Sequence, residues 1–355
     1  MQKELYKKLM LETSKKIEPT IFGYLKPLKK ENEELYDICS ELLKKKIGTF
    51  ETRAYLLRIS FEACAGKKWT QDIMHACVAI ELELASVYYT NRIFDDKGGK
   101  EILSQPNNQF IAAMITRDLA SQALTRACRA VDYKTFVKIK DLFDEINKVL
   151  YIGQFLDINV NLYKPKMNFN FDKMLNLYYR TNDGFNNSFF EKLAMIGGIL
   201  GNGTERQIKA LGNFGRNYGM ALQIINDIGD FVPPEDNAGT DEKIPDDSYS
   251  DIKHRKLTLP IIYTLTKGSN EEREIIIKVL EKGKRATIKE LRKITEILVN
   301  NGAIAYSQNI VRDFIHKAKS CLSVFKEKDR NLIEGVCFIG YSNRYYKALR
   351  KFKKA

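Results

Sequence analysis

The chain has 355 residues, of which 44% are hydrophobic and 29% are charged, and it contains only eight prolines. This composition excludes a disordered or fibrous chain and indicates a helix-rich globular protein with a sizeable core. The net charge of +13 comes from lysines spread along the chain, without a nucleic-acid-binding motif, so we expect a solvated basic surface and no nucleic-acid partner.

The six cysteines form no CxxC pair and the three histidines lie far apart, which argues against a disulfide framework and a zinc site. The charged N-terminus MQKELYKKLMLETSKK has no apolar core and does not read as a signal peptide. No apolar run approaches the roughly 18 residues that a membrane-spanning helix needs. We therefore expect a cytoplasmic protein.

Apolar residues recur at helical spacing through most of the chain. The predicted helices cover 50–66, 70–94, 109–131, 134–163, 171–200, 204–231 and 258–267, and further helices follow to the end. Polar breaks fall at 95–108 and 165–170, and a polar loop rich in Pro, Asp and Ser covers 232–250. No repeat or linker divides these helices, so we predict one all-α domain over residues 1–355, built as a large antiparallel bundle.

Two acidic corners stand at the ends of apolar helices. In LQIINDIGDF (222–231), Asn226 and Asp230 are four positions apart and Asp227 lies between them, so all three share one helix face. Negative charge near a helix C-terminus opposes the helix dipole, so a frayed, solvated end explains this corner poorly. Oxygen ligands without His or Cys suit Mg²⁺, which shares its coordination with substrate phosphates.

The first corner, TNRIFDDKGGK (90–100), is less specific. Asn91 and Asp95 are four apart, Asp96 follows, and Lys97 and Lys100 come next. A helix that ends in a charged glycine turn has the same pattern, so the corner predicts either a second set of metal ligands or an ordinary helix end.

Taken together, these stretches resemble the trans-isoprenyl diphosphate synthases of the polyprenyl synthetase family. ALQIINDIGDF (221–231) is similar to the second aspartate motif of that family, and DIKHRKLTLPIIYTL (251–265) is similar to the segment that follows it. Upstream, IGQFLD (152–157) resembles G-Q-x-x-D-L, and YYRTNDGF (178–185) stands where the family has K-T-x-x-L-F. ISFEACAGKKWTQDIMHACVAIELELAS (59–86) resembles the helix pair that leads into the first motif.

The resemblance implies antiparallel helices around a deep apolar cavity, with two Mg²⁺-binding aspartate motifs at its mouth and an allylic prenyl diphosphate as substrate. The implied metal ligands are Asn226, Asp227 and Asp230, and, on the opposite side, Asn91, Asp95 and Asp96. The implied substrate-binding residues are Arg180, Thr181, Gln223, Lys256, Lys97 and Arg53. Among all of these, Asp227, Asp230, Arg180 and Lys256 are the expected catalytic residues.

The chain departs from the family at the loop that binds isopentenyl diphosphate, G-G-K-R-x-R-P. Counting back from FEA (61–63) places this loop on GTFETRA (48–54), where Phe50 and Glu51 replace the lysine and the first arginine and only Gly48 and Arg53 remain. A phenyl ring and a carboxylate there do not attract a diphosphate. The sequence therefore predicts ionisation of an allylic diphosphate, followed by transfer to an acceptor other than isopentenyl diphosphate or by cyclisation.

Two alternatives stay open: a chain-elongating polyprenyl diphosphate synthase, and a non-catalytic subunit that pairs with an active homologue. The expected assembly is a homodimer, or a heterodimer with a homologous synthase. The basic aromatic tail, residues 341–355, is compatible with peripheral contact with an anionic membrane, with closure over the phosphate site, or with a solvated helical end.

Overall fold

Helices provide nearly all the regular structure. The computed structural model describes residues 2–46, 52–94, 105–231 and 249–337. Its α-helices, in chain order, are α1 (Gln2–Leu25), α2 (Leu28–Glu31), α3 (Glu33–Lys46), α4 (Thr52–Ala65), α5 (Gln71–Phe94), α6 (Pro106–Ala127), α7 (Tyr133–Asn159), α8 (Phe171–Asn182), α9 (Ser188–Leu200), α10 (Glu205–Asp230), α11 (Ser250–Lys253), α12 (Leu259–Lys267), α13 (Asn270–Lys282), α14 (Ile288–Asn300), α15 (Ala303–Ser320) and α16 (Glu327–Glu334). In that described part, β pairing is limited to an antiparallel bridge between Leu162 and Lys256. The all-α class predicted from the sequence is confirmed.

The helix ends carry the expected local signals. Ser269 with Glu272 and Thr287 with Glu290 form capping boxes at the starts of α13 and α14. The Asn170 side chain accepts the first-turn N–H of Lys173 at the start of α8. These side chains satisfy backbone N–H groups that have no partner within the helix, so the chain starts each helix at a defined residue.

One predicted helix is interrupted. The stretch 171–200 forms α8 and α9, separated by a π-helical turn at Asp183–Asn187. Hydrophobic periodicity does not reveal such a turn, because one wider turn shifts the apolar face only slightly. The turn carries Asn186, whose side chain donates a hydrogen bond to Gln223.

The chain divides into two compact units, and the one-domain expectation therefore stays a prediction. The first unit comprises Met1–Lys148, Ser188–Arg216 and Lys317–Ile339, and the described residues of the second lie in Val149–Asn187 and Asn217–His316. In the first unit, α5 packs chiefly against α6, and α4 packs against α9. In the second unit, residues of α8, α10 and α12–α15 form one apolar core.

Some predicted segments lie outside the described residues. They are residues 48–51 of GTFETRA, the acidic residues after Phe94, and the basic tail 341–355. Of the predicted polar loop, residues 232–248 are also outside. Its last two residues are described, and Tyr249 is buried while Ser250 begins α11. Within the described helices, none is both long and apolar enough to span a membrane.

The first unit buries a carboxyl group on α5. Glu83 has no solvent exposure, and neither of its carboxylate oxygens has a hydrogen bond of good geometry in the described part of the chain. Burial raises the pKa of Glu83 to about 7, and the charge of Arg117 and the amide of Asn147 oppose this rise only in part, while Asp144 adds to it. Glu83 is therefore neutral in the folded protein below pH 7, although it ionises near its ordinary value in the unfolded chain.

This difference in the pKa of Glu83 between the folded and unfolded states predicts that the stability of the protein depends on pH. Because the folded state holds the proton more tightly, the free energy of unfolding should fall as the pH rises from about 4.5 to about 7, by up to about 3 kcal/mol. Glu83→Gln removes the titrating group, so the variant should be more stable than the wild type at pH 8 and gain much less at pH 5. Urea denaturation at both pH values measures this.

Glu274→Gln, at an exposed glutamate of α13, is the control and should behave as the wild type does at both pH values. An equal gain for Glu83→Gln at pH 5 and pH 8 would assign the effect to packing instead of ionisation.

Candidate diphosphate and metal site

A buried aspartate lies at the centre of the site in the second unit. Asp227, on the last turn of α10, is 2% exposed. Its Oδ2 accepts a 2.6 Å hydrogen bond from the Tyr178 hydroxyl, and its Oδ1 accepts a 2.9 Å bond from the Gln223 amide. The pKa of Asp227 is raised to about 7, chiefly by burial and also by the nearby charges of Asp251 and Asp157, while the two hydrogen bonds act to lower it.

The Gln223 side chain, which donates to Asp227, is itself fixed by a hydrogen bond. Gln223 Oε1 accepts a 2.7 Å bond from the Asn186 side chain, which belongs to the π-helical turn. The turn sits close to its neighbours because two glycines allow it: a Cβ on Gly219 would lie 2.4 Å from the Asn186 carbonyl oxygen, and one on Gly184 would lie 2.4 Å from the Val149 carbonyl oxygen. The backbone of α10 and the end of α7 therefore fix the turn, and the turn orients Gln223.

The backbone also brings a lysine beside two further carboxylates. The bridge of Lys256 with Leu162, and hydrogen bonds from Tyr163 N–H to Arg255 O and from Leu257 N–H to Asn161 O, tie this segment to the chain just after α7. The buried Lys256 ammonium consequently contacts Asp157 and lies 4.0 Å from Asp251. Asp157, Asp227 and Asp251 thus lie in one cluster with Lys256.

Asp230 has a different set of contacts. Its Oδ1 accepts the Ser250 N–H at 2.9 Å and its Oδ2 accepts the Asp251 N–H at 3.0 Å, while its backbone oxygen accepts the Tyr249 N–H. The carboxylate therefore caps α11. Its predicted role as a metal ligand stays a prediction.

The donors present fit a magnesium ion. The carboxylates of the cluster offer oxygen donors, and a divalent cation beside Asp227 would offset the cost of ionising that buried group. Among the described residues, no three His, Cys, Asp or Glu side chains form a complete metal-binding group. Mg²⁺ ordinarily takes one or two carboxylates, water and substrate phosphates, so a partial set of protein ligands is what such a site requires.

The other predicted residues of the second unit lie on the same helices. Asn226 and Arg180 are exposed, at the end of α10 and of α8 respectively. Thr181 is fully buried and its hydroxyl donates to the Leu177 carbonyl oxygen at 3.0 Å. For all three, the predicted contacts with metal or diphosphate stay predictions.

The predicted residues of the first unit are only partly described. Arg53 lies over the rings of Phe189 and Phe190, with 5.7 and 5.1 Å from its guanidinium carbon to the ring centroids. Asn91 is partly buried near the end of α5. Asp95, Asp96 and Lys97 lie outside the described residues, as do Phe50 and Glu51.

Three residues of the site, Asp157, Asp251 and Tyr178, were not identified from the sequence. Asp157 and Asp251 stand inside the stretches IGQFLD and DIKHRK that carry the resemblance, so the signal for them was present. Tyr178 also stands inside such a stretch, YYRTNDGF, but the family pattern K-T-x-x-L-F assigns it no role, and a tyrosine there has the same pattern as any core aromatic residue.

Comparisons with known proteins identify the family of the chain. The family model described as Polyprenyl synthetase matches residues 106–298. A geranylgeranyl diphosphate synthase of Sulfolobus acidocaldarius is 23% identical over 287 residues, which are 79% of this chain and 82% of that protein. A short chain isoprenyl diphosphate synthase of Methanothermobacter thermautotrophicus is 33% identical over 133 residues, and the match covers 38% of each chain.

A solved structure has the same fold. The crystal structure of a geranylgeranyl pyrophosphate synthetase from Pyrococcus horikoshii superposes with a TM-score of 0.79 and 24% identity, over 96% of this chain and 98% of that one.

The buried ion pair makes a stability prediction. Lys256→Met leaves Asp157 beside Asp227 and Asp251 without the cation, and breaking a buried pair costs about 3–5 kcal/mol. Adding Asp157→Asn removes the uncompensated charge and should restore at least half of the loss. Urea denaturation at pH 8 without divalent metal measures both.

The exposed pair of Lys293 with Glu296 provides the control, since Lys293→Met should change stability very little. A double variant as unstable as Lys256→Met alone would contradict the assignment of the loss to charge.

Proposed function

We infer the reaction of this chain from one premise: the chain belongs to the polyprenyl synthetase family. Membership confirms the family and the class of enzyme, a prenyltransferase, that the sequence motifs predicted. We propose that the protein is a Mg²⁺-dependent prenyl diphosphate synthase, which ionises an allylic diphosphate and extends it with isopentenyl diphosphate. The observation that carries the proposal is the buried cluster of Asp227, Asp157, Asp251 and Lys256.

Bound Mg²⁺ would supply positive charge to the leaving diphosphate. Asp227 is the proposed ligand with two hydrogen bonds to fix it, and Asp230 and Asn226 lie within one helical turn of it. The residues of the first acidic corner, Asn91, Asp95 and Asp96, are proposed ligands on the other side.

The chain's own residues complete the ionisation step. Lys256 and Arg180 donate to diphosphate oxygens, the first as a point charge and the second as a planar fork. The allylic C–O bond breaks and its electron pair leaves with the diphosphate. The double bond of isopentenyl diphosphate then attacks the allylic carbon, and loss of a proton yields the longer allylic diphosphate. Apolar walls exclude water from the cation.

The choice of acceptor departs from the expectation stated above. Phe50 and Glu51 led us to expect an acceptor other than isopentenyl diphosphate, or cyclisation. The relatives reported for this chain are named isoprenyl and geranylgeranyl diphosphate synthases, and this favours elongation. The other acceptor is retained as a second candidate, because counting along the sequence places Glu51 in the loop that binds isopentenyl diphosphate in the family, where a carboxylate would repel a diphosphate.

The non-catalytic alternative is less well supported. A subunit without activity has no need of a buried Asp227 held by two hydrogen bonds, because a buried charge lowers stability unless a function retains it. The dimer, the cytoplasmic location and the membrane contact stay predictions.

A product assay tests the acceptor. The purified protein with Mg²⁺ and C10, C15 or C20 allylic diphosphate should form a longer prenyl diphosphate only when isopentenyl diphosphate is added, as read by mass. Products formed equally well without isopentenyl diphosphate would replace elongation with the second candidate. No product from any substrate, with a folded protein, would favour the non-catalytic subunit.

The first acidic corner makes a separate prediction. If Asp95 and Asp96 bind metal, the double change Asp95→Asn with Asp96→Asn should lower the rate at least tenfold, about 1.4 kcal/mol of barrier. Asp227→Ala is the reference and should abolish turnover with the helical circular dichroism intact. Unchanged turnover in the double variant would leave the second motif alone as the metal site.

A further inference from the structure

Tyr178 is a fully buried residue whose hydroxyl contacts the central carboxylate directly. It lies on α8, is 1% exposed, and donates to Asp227 Oδ2 at 2.6 Å. It is the first residue of the stretch YYRTNDGF, in which the sequence predicted substrate-binding roles for Arg180 and Thr181 and none for Tyr178. The hydroxyl is a polar atom in the apolar core of the second unit, and a hydroxyl buried there is costly unless it makes a hydrogen bond.

The two hydrogen bonds on Asp227 occupy different oxygens. Tyr178 takes Oδ2 from α8, and Gln223 takes Oδ1 from the preceding turn of α10. A carboxylate held at both oxygens cannot rotate about its Cβ–Cγ bond without losing one of them. Each oxygen retains a second lone pair, so the plane in which a cation can be bound is set before the cation arrives.

We propose that Tyr178 is a positioning residue, which orients the Asp227 carboxylate for a divalent cation and its bound diphosphate. This rests on the proposed function, because it requires Asp227 to be a metal ligand. Tyr178 touches neither metal nor substrate, and its effect reaches the reaction through Asp227.

The protonation of Tyr178 suits this role. Burial, and then the charge and hydrogen bond of Asp227, keep the pKa of the Tyr178 hydroxyl well above its ordinary value, so it remains a donor. The neighbouring residue does something else: Tyr179 packs on the ring of Phe314, with centroids 6.1 Å apart, in the aromatic part of the same core.

The two tyrosines supply a matched pair of variants. Tyr178→Phe and Tyr179→Phe each remove one hydroxyl from the same turn of α8, but only the first removes a bond to Asp227. Loss of a residue that orients a metal ligand typically lowers metal affinity by 10–100-fold. We therefore expect Tyr178→Phe to bind metal at least about tenfold more weakly than the wild type, and Tyr179→Phe to bind it equally well.

The readout is binding and does not depend on turnover. Electron paramagnetic resonance of Mn²⁺, titrated with the full-length protein in the presence of inorganic diphosphate, gives the affinity of each variant. The same titration on Asp227→Asn and on the double variant with Tyr178→Phe closes a mutant cycle. If Tyr178 acts through Asp227, its removal should weaken binding no further once Asp227 is changed.

The outcomes distinguish the positioning role of Tyr178 from the assignment of Asp227 as a metal ligand. Wild-type affinity in Tyr178→Phe, with weak binding in Asp227→Asn, overturns the positioning role and leaves the metal site standing. Equal binding in the wild type and in Asp227→Asn overturns the metal assignment of the proposed function and the positioning role together.

Folding needs its own measurement, since Tyr178 is part of the core. Circular dichroism and thermal melting accompany each titration, and Tyr178→His, which keeps a ring with an N–H donor, is the second variant. Recovery of affinity in Tyr178→His supports the proposal. Loss of the folded state in both Tyr178 variants assigns the hydroxyl to folding and overturns it.

Discussion

Burial of the Asp227 carboxylate is the constraint on which the second unit depends. A charge removed from water is costly unless hydrogen bonds and opposite charge offset the loss of solvation. Two hydrogen bonds come from Tyr178 and Gln223, and the Lys256 ammonium lies in the same cluster beside Asp157. Asp251 lies in the same cluster and also raises the pKa of Asp227. A cation bound beside Asp227 would offset the cost of burying its charge.

The acidic end of α10 has a second explanation besides metal binding. A carboxylate in the last turn of a helix opposes the helix dipole, which made Asp230 unfavourable when only its own helix was considered. In the structure, Asp230 accepts the N–H groups of Ser250 and Asp251 at the start of α11, where negative charge is favourable. The hydrogen bond from Asp251 N–H to Asp230 also positions Asp251 close to Lys256. Asp230 therefore organises the cluster whether or not it also binds metal.

Periodicity predicted the helices from α4 onward well, because each helix must bury one apolar face and the spacing of that face is visible in the sequence. The helices α1 to α3 were not among those predicted. The π-helical turn at Asp183–Asn187 was not predicted. It depends on close contacts of Gly184 and Gly219 with residues distant in sequence, and periodicity within one segment carries no information about those. Of the site residues, Asp227 and Lys256 were predicted by motif. Tyr178 was not, since its role exists only once α8 lies beside α10.

Two departures from the family pattern lie at exposed positions, whereas two residues that match the pattern are buried. Asn226, which replaces an aspartate of the second motif, and Arg180, which replaces a lysine, are both exposed. Asp227 and Lys256, which match, are buried and held by several contacts. A substitution at an exposed position leaves the surrounding fold unchanged and often preserves the chemical class, as an amide oxygen or a second cation does here. A substitution in the buried cluster would leave a charge without its partner. The departures at Asn226 and Arg180 thus fall where the fold tolerates change, and the buried residues proposed to ionise a diphosphate are the ones that match the family pattern.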